Sequence, residues 1–135
     1  MRQAWIIDDD DEMNHAVRLM LELLDFEVLT YRAARPAAKM LLDGRRPDLI
    51  VLDINMPEVT GMDFLEFLGM RAELKGLPVI MLSTEASDVR VNEAMKLGAS
   101  GFVSKPVTIE ELETVIAKAL PEQRKRKPRG GSNVS

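Results

Sequence analysis

Short apolar runs alternate five times along the chain with stretches whose apolar residues recur every three or four positions. The runs are residues 4–7 (AWII), 28–31 (VLTY), 49–52 (LIVL), 79–82 (VIML) and 101–104 (GFVS). They are short and mostly β-branched or aromatic, which suits strands. Between them, Met13, Ala16, Val17, Met20 and Leu24 lie at helical spacing. Ile109, Leu112, Val115, Ile116, Ala119 and Leu120 do the same, with Glu110, Glu111, Glu113 and Lys118 on the opposite side. Thr108, followed three residues later by Glu111, reads as a capping box at the start of that helix. Weaker helical patterns cover residues 33–43, 62–71 and 88–97, punctuated by Gly44, Gly76, Pro78 and Gly98.

Strands and helices alternating through short loops predict a parallel sheet with helices on both faces. Runs 4–7, 49–52 and 79–82 are wholly apolar, as strands buried on both faces must be. Runs 28–31 and 101–104 contain polar residues and make better edges. The expected fold is therefore a single doubly wound α/β domain with a five-stranded parallel sheet. Its strand order is 2-1-3-4-5, the flavodoxin-like (βα)5 arrangement.

Composition narrows the chemistry. The chain has 135 residues, 46% hydrophobic and 30% charged, which fits one globular domain. With no cysteine there is no disulfide framework, thiolate metal site or cysteine nucleophile. A single histidine, His15, rules out a multi-histidine metal site and is expected to face solvent from a helix. No apolar run nears the roughly 18 residues of a membrane span, and the N-terminus lacks a signal-peptide layout. The expectation is a soluble, cytoplasmic protein with no membrane partner.

The charge is uneven. Residues 121–135 hold five of the 18 basic residues and one of the 22 acidic ones, so a body of net −8 carries a tail of net +4. The acidic body argues against nucleic-acid binding by the globular part. The tail, PEQRKRKPRGGSNVS, has no apolar periodicity. It reads as a disordered basic tail, a cut linker or an expression remnant, leaving residues 1–120 as the domain.

In a parallel sheet, ligands bind outside the carboxyl ends of the strands. Asp8 and Asp9 follow the first run, Asp53 the third, Ser83 and Thr84 the fourth, and Lys105 the fifth. The topology thus gathers three carboxylates, a hydroxyl and an ammonium at one edge. Three carboxylates repel one another, and a divalent cation relieves that. All-oxygen ligation with room for water suits Mg²⁺, which also bridges phosphoryl oxygens. Lys105 adds a point charge and Ser83 a donor for an anion beside the metal. Together these groups suit phosphoryl transfer to a carboxylate.

These motifs resemble the response-regulator receiver domain of two-component signalling. They are Asp8-Asp9, the stretch from Leu52 to Pro57 followed by Gly61, Leu82-Ser83-Thr84-Glu85, and the stretch from Gly98 to Pro106. The likeness covers residues 3–120. It implies that Asp53 accepts a phosphoryl group from a histidine kinase or phosphotransfer protein. It implies that Asp8 and Asp9 bind Mg²⁺, helped by the Asp53 carboxylate and the Asn55 backbone carbonyl. Ser83 and Lys105 match the phosphate-contacting pair, and Phe102 matches an aromatic switch position. Asn55 and Glu85 are expected to tune how long the phosphoryl group lasts. The Lys105–Pro106 bond is expected to be cis. The signal would leave through the fourth helix, fifth strand and fifth helix, by binding a partner, an output domain or a second copy. The chain would then be a switch rather than a turnover enzyme.

Other readings stand beside these. Asp10, Asp11 and Glu12 suit the favourable acids of a helix start. Ser83 also suits a helix cap, and Phe102 a permanent core position. Trp5 is expected to pack. An EF-hand calcium loop fails because Met13 holds the position that needs glycine. Asp8-x-Asp10 also resembles the opening of haloacid-dehalogenase-like phosphatases, which would make Asp8 the nucleophile and leave Asp53 without a role.

Overall fold

The computed structural model describes residues 1–120. Its elements run β1 (Arg2–Ile7), α1 (Asp11–Leu23), β2 (Phe26–Tyr31), α2 (Ala34–Leu42), β3 (Leu49–Asp53), α3 (Gly61–Gly69), β4 (Val79–Ser83), α4 (Asp88–Lys96), β5 (Gly101–Ser104) and α5 (Ile109–Ala119). Every neighbouring strand pair is parallel, in the order β2-β1-β3-β4-β5. The two runs with polar residues are the edges, as their composition predicts. The basic tail expected over 121–135 lies outside the described residues. No helix among the described residues is long and apolar enough to cross a membrane.

The wholly apolar runs are explained by the period of a strand, which sends successive side chains to opposite faces. Trp5, Ile7, Ile50, Leu52, Val79 and Met81 join one layer, packed against Ala37 and Leu41 of α2, Phe64 and Leu68 of α3 and Ala94 of α4. Ala4, Ile6, Leu49, Val51, Ile80 and Leu82 join the other, against Val17 and Leu21 of α1 and Leu112 and Ile116 of α5. Each large side chain so buried contributes roughly 1.5–3 kcal/mol relative to exposure. Trp5 is a packing residue, with its indole N–H donating to Gln3 Oε1 at 3.2 Å.

Boundaries differ from the pattern where polar residues carry backbone pairing. β1 and β2 each begin two residues early, because Arg2 pairs with Phe26 and Gln3 with Glu27 at the edge. β3 and β4 each extend one residue further, onto Asp53 and Ser83. The reciprocal capping box forms at Thr60 and Asp63, at the head of α3. Thr108 caps α5 by accepting from the Glu111 N–H at 3.2 Å. Pro36 lies in the first turn of α2, where its missing N–H has no helical partner to lose.

α3 begins directly beneath the end of β3. The Gly61 N–H donates to the Ile54 carbonyl at 2.8 Å. A Cβ at Gly61 would collide with the Asp53 carbonyl oxygen and lie 2.8 Å from Ile54 Cα. Both are backbone atoms and cannot swing away. Gly61→Ala is therefore expected to destabilise the chain by about 2–3 kcal/mol, in the upper range for overpacking. Urea unfolding measures this; a loss below about 0.5 kcal/mol, typical of a benign surface change, would contradict it.

Candidate functional site

The carboxyl ends of β1, β3, β4 and β5 meet at one edge. Asp8 stands just past β1, Asp53 ends β3, Ser83 ends β4 and Lys105 follows β5. The Lys105 N–H donates to the Ser83 carbonyl at 2.9 Å, which ties the last two together. The Lys105–Pro106 peptide bond is cis. Lys105 reaches across the edge: its Nζ lies 2.8 Å from Asp53 Oδ1 and 3.3 Å from Asp8 Oδ2. Carboxylate oxygens of Asp8, Asp9 and Asp53 lie within 4.8 Å of one another. Asp8 and Asp53 are buried, whereas Asp9 is exposed.

Asp8 is tightly held. Its backbone N–H donates to the Tyr31 carbonyl at 3.0 Å. Its Oδ1 accepts the Asp10 N–H at 3.0 Å. Its carbonyl accepts from the Asn14 side-chain Nδ2 at 2.7 Å. Asp10 turns its own carboxylate to α1, accepting from the N–H groups of Glu12 and Met13. The helix-start role expected of Asp10 is the one it fills. Asp11 and Glu12 occupy the first turn.

Burial is the largest influence on both inner carboxyls. It pushes Asp8 above the ordinary carboxylate range, opposed by the Asp10 N–H and Lys105 and reinforced by the charge of Asp53. It pushes Asp53 up as well, opposed by Lys105 and reinforced by Asp9. Burial pushes the Lys105 ammonium down, but its two carboxylates outweigh this and the net shift is upward. Asp8 and Asp53 thus share one ammonium, with Asp9 beside them. The all-oxygen donor set and the raised proton affinity of Asp8 and Asp53 both fit a hard divalent cation.

Ser83 is buried, and its Oγ accepts the Glu85 N–H at 2.9 Å. It does not cap a helix: α4 starts at Asp88, and Ser87 caps it through the Arg90 N–H at 3.2 Å. Asn55 and Glu85 are exposed on the loops after Asp53 and Ser83. The Glu85 carboxylate lies 3.5 Å from Arg90 Nη2 of α4. Phe102 on β5 is half-buried and packs on the layer that holds α2, α3 and α4. His15 is exposed on α1, as expected. Sequence reasoning missed Asn14 and Gly61's contact with β3; an amide at a buried helical position was the available signal for Asn14.

Residues 4–117 match the response regulator receiver domain. The chain therefore belongs to that family, the receiver domains of two-component signalling. Such domains are signalling switches rather than turnover enzymes. The chemotaxis protein CheY of Pseudomonas aeruginosa is 34% identical over 113 residues, which are 84% of this chain and 91% of that protein. The two-component response regulator ARR10 of Arabidopsis thaliana is 32% identical over 130 residues, 96% of this chain but 23% of that protein. The chain thus spans about a quarter or less of the plant regulators it matches. The crystal structure of Vibrio cholerae CheY4 superimposes with a TM-score of 0.81 at 31% identity, covering 89% of this chain and 99% of that one. Against this, the phosphatase alternative has no support: Asp10, the second acid of its motif, is spent on capping α1.

The charge balance predicts a sign. Between the ordinary aspartate value and their raised values, Asp8 and Asp53 hold protons more readily in the folded chain than in the unfolded one. Stability from this source is complete below the ordinary aspartate value of 3.8 and falls as pH rises from there through the raised values. Asp8→Asn removes part of that cost. The metal-free variant is expected to melt a few degrees above the parent at pH 7, with the gap closing below pH 3.8. Calorimetric melting curves at several pH values check this; a variant that melts lower at pH 7 would refute it.

Proposed function

We propose that the chain is a phosphoacceptor switch in which Asp53 receives a phosphoryl group from a histidine kinase or phosphotransfer protein. The observation that carries this reading is Lys105 Nζ held between Asp53 Oδ1 and Asp8 Oδ2, with Asp9 alongside. An ordinary surface aspartate needs no such surroundings.

Asp8, Asp9 and Asp53, with the Asn55 backbone carbonyl, would hold Mg²⁺. When bound, the cation neutralises the acids and the charge developing on the transferring phosphoryl oxygens. A free oxygen of Asp53 attacks phosphorus in line as the P–N bond to the donor imidazole breaks. Lys105 follows the incoming charge and exchanges its carboxylate contact for a phosphoryl oxygen. Ser83 turns its hydroxyl from the Glu85 loop toward a second oxygen. Asn55 and Glu85 flank the path of the water that later hydrolyses the acyl phosphate, so they set its lifetime.

Drawing Ser83 in moves the loop before α4. This frees space for Phe102, whose ring buries further, worth on the order of 1–2 kcal/mol. That gain shifts a two-state population about tenfold. The face of α4, β5 and α5 then changes shape for a partner, an output domain or a second copy.

With a small acyl phosphate and Mg²⁺, intact mass is expected to show one added phosphoryl group per chain, absent when Mg²⁺ is chelated. Asp53→Asn is expected to stay unlabelled, and amide resonances of residues 84–104 to move in the labelled parent. Equal labelling of Asp53→Asn overturns the acceptor assignment. Unmoved resonances over 84–104 overturn the switch.

A further inference from the structure

We propose that Asn14 is a positioning residue for the acidic site: its side-chain amide fixes the Asp8–Asp9 peptide and so aims the Asp9 carboxylate at the cation. This rests on the Mg²⁺ reading above. Asp9 itself has no hydrogen bond or ion pair among the described residues, so only its backbone places the Cα–Cβ bond from which its carboxylate reaches out. That backbone is pinned through Asp8. The Asp8 N–H is taken by Tyr31, and its two carboxylate oxygens by Asp10 and Lys105. The Asp8 carbonyl lies past the end of β1, and the Asn14 Nδ2, at 2.7 Å, is the donor it receives. This bond orients the peptide plane that joins Asp8 to Asp9.

Asn14 is a costly choice for any other purpose. It is 6% exposed, and its Oδ1 is buried with no hydrogen-bond partner. A buried, unpaired amide oxygen is destabilising, whereas an apolar residue of similar volume would avoid that penalty. Turning the amide over would set its oxygen against the Asp8 carbonyl. The one favourable bond the side chain makes is therefore the one to Asp8. Groups that orient metal ligands from behind change metal affinity by about 10–100-fold when removed.

The test compares the parent with Asn14→Leu, which keeps the branched shape without the amide, and Asn14→Ala, which removes it. Mg²⁺ binding is measured by calorimetry on folded, metal-free protein, and amide spectra are recorded before Mg²⁺ is added. The dissociation constant is expected to rise about tenfold in both variants, with the Asp9 and Asp10 amide resonances already displaced in the metal-free state. A purely structural role would lower the melting temperature and leave the dissociation constant within about twofold; that result overturns the proposal. The parent supplies a reading that needs no variant. Its Asn14 side-chain amide resonance is expected to move as Mg²⁺ is added, and an unmoved resonance in a parent that binds Mg²⁺ overturns the proposal. A parent that takes up no Mg²⁺ fails the reading beneath it, and this proposal with it.

Discussion

Two buried carboxylates and one lysine set the terms for this molecule. Asp8 and Asp53 come from strands adjacent in the sheet, and Lys105 comes from beyond its far edge. Alone, Asp8 and Asp53 would repel at close range in a poorly solvated cleft. Lys105 makes their proximity tolerable without balancing it, since Asp9 adds a third negative group. The pocket is left short of positive charge. That deficit is what the proposed Mg²⁺ would answer, and the cation and Lys105 together could then hold an anionic phosphoryl group.

The sheet makes the deficit possible. Parallel strands send all their carboxyl ends to one edge, so short-range sequence rules place distant residues side by side. The two apolar layers lock β1, β3 and β4 from both faces, which leaves the ends of these strands little freedom. Gly61 brings α3 against the backbone of Asp53 and Ile54. Asn14 ties α1 to the end of β1. Both contacts brace the site from behind rather than entering it.

The central strands were legible because a strand buried on both faces is apolar throughout, and runs 4–7, 49–52 and 79–82 are. The edges were legible from the polar residues that interrupt their runs. The first residues of β1 and β2 were not, because Arg2, Gln3 and Glu27 belong to the ladder through backbone pairing that side-chain hydropathy does not report. The cap of α4 was obscured because several Ser and Thr residues compete for it locally, and Ser87 rather than Ser83 supplies it. The acidic site was legible as residues at strand ends. Its support was not. Asn14 acts through a single bond to a carbonyl six residues away, and nothing in hydrophobic spacing marks such a bond.

Burial and shared charge, rather than acidic residues as such, make the pocket responsive. Following the side-chain carboxyl carbons of Asp8 and Asp53 by ¹³C NMR across a pH titration, with and without Mg²⁺, tests this most directly. Without Mg²⁺, both are expected to titrate above the ordinary carboxylate range, and with Mg²⁺ both are expected to drop well below their metal-free positions. Ordinary midpoints without metal, or midpoints that ignore Mg²⁺, would contradict it.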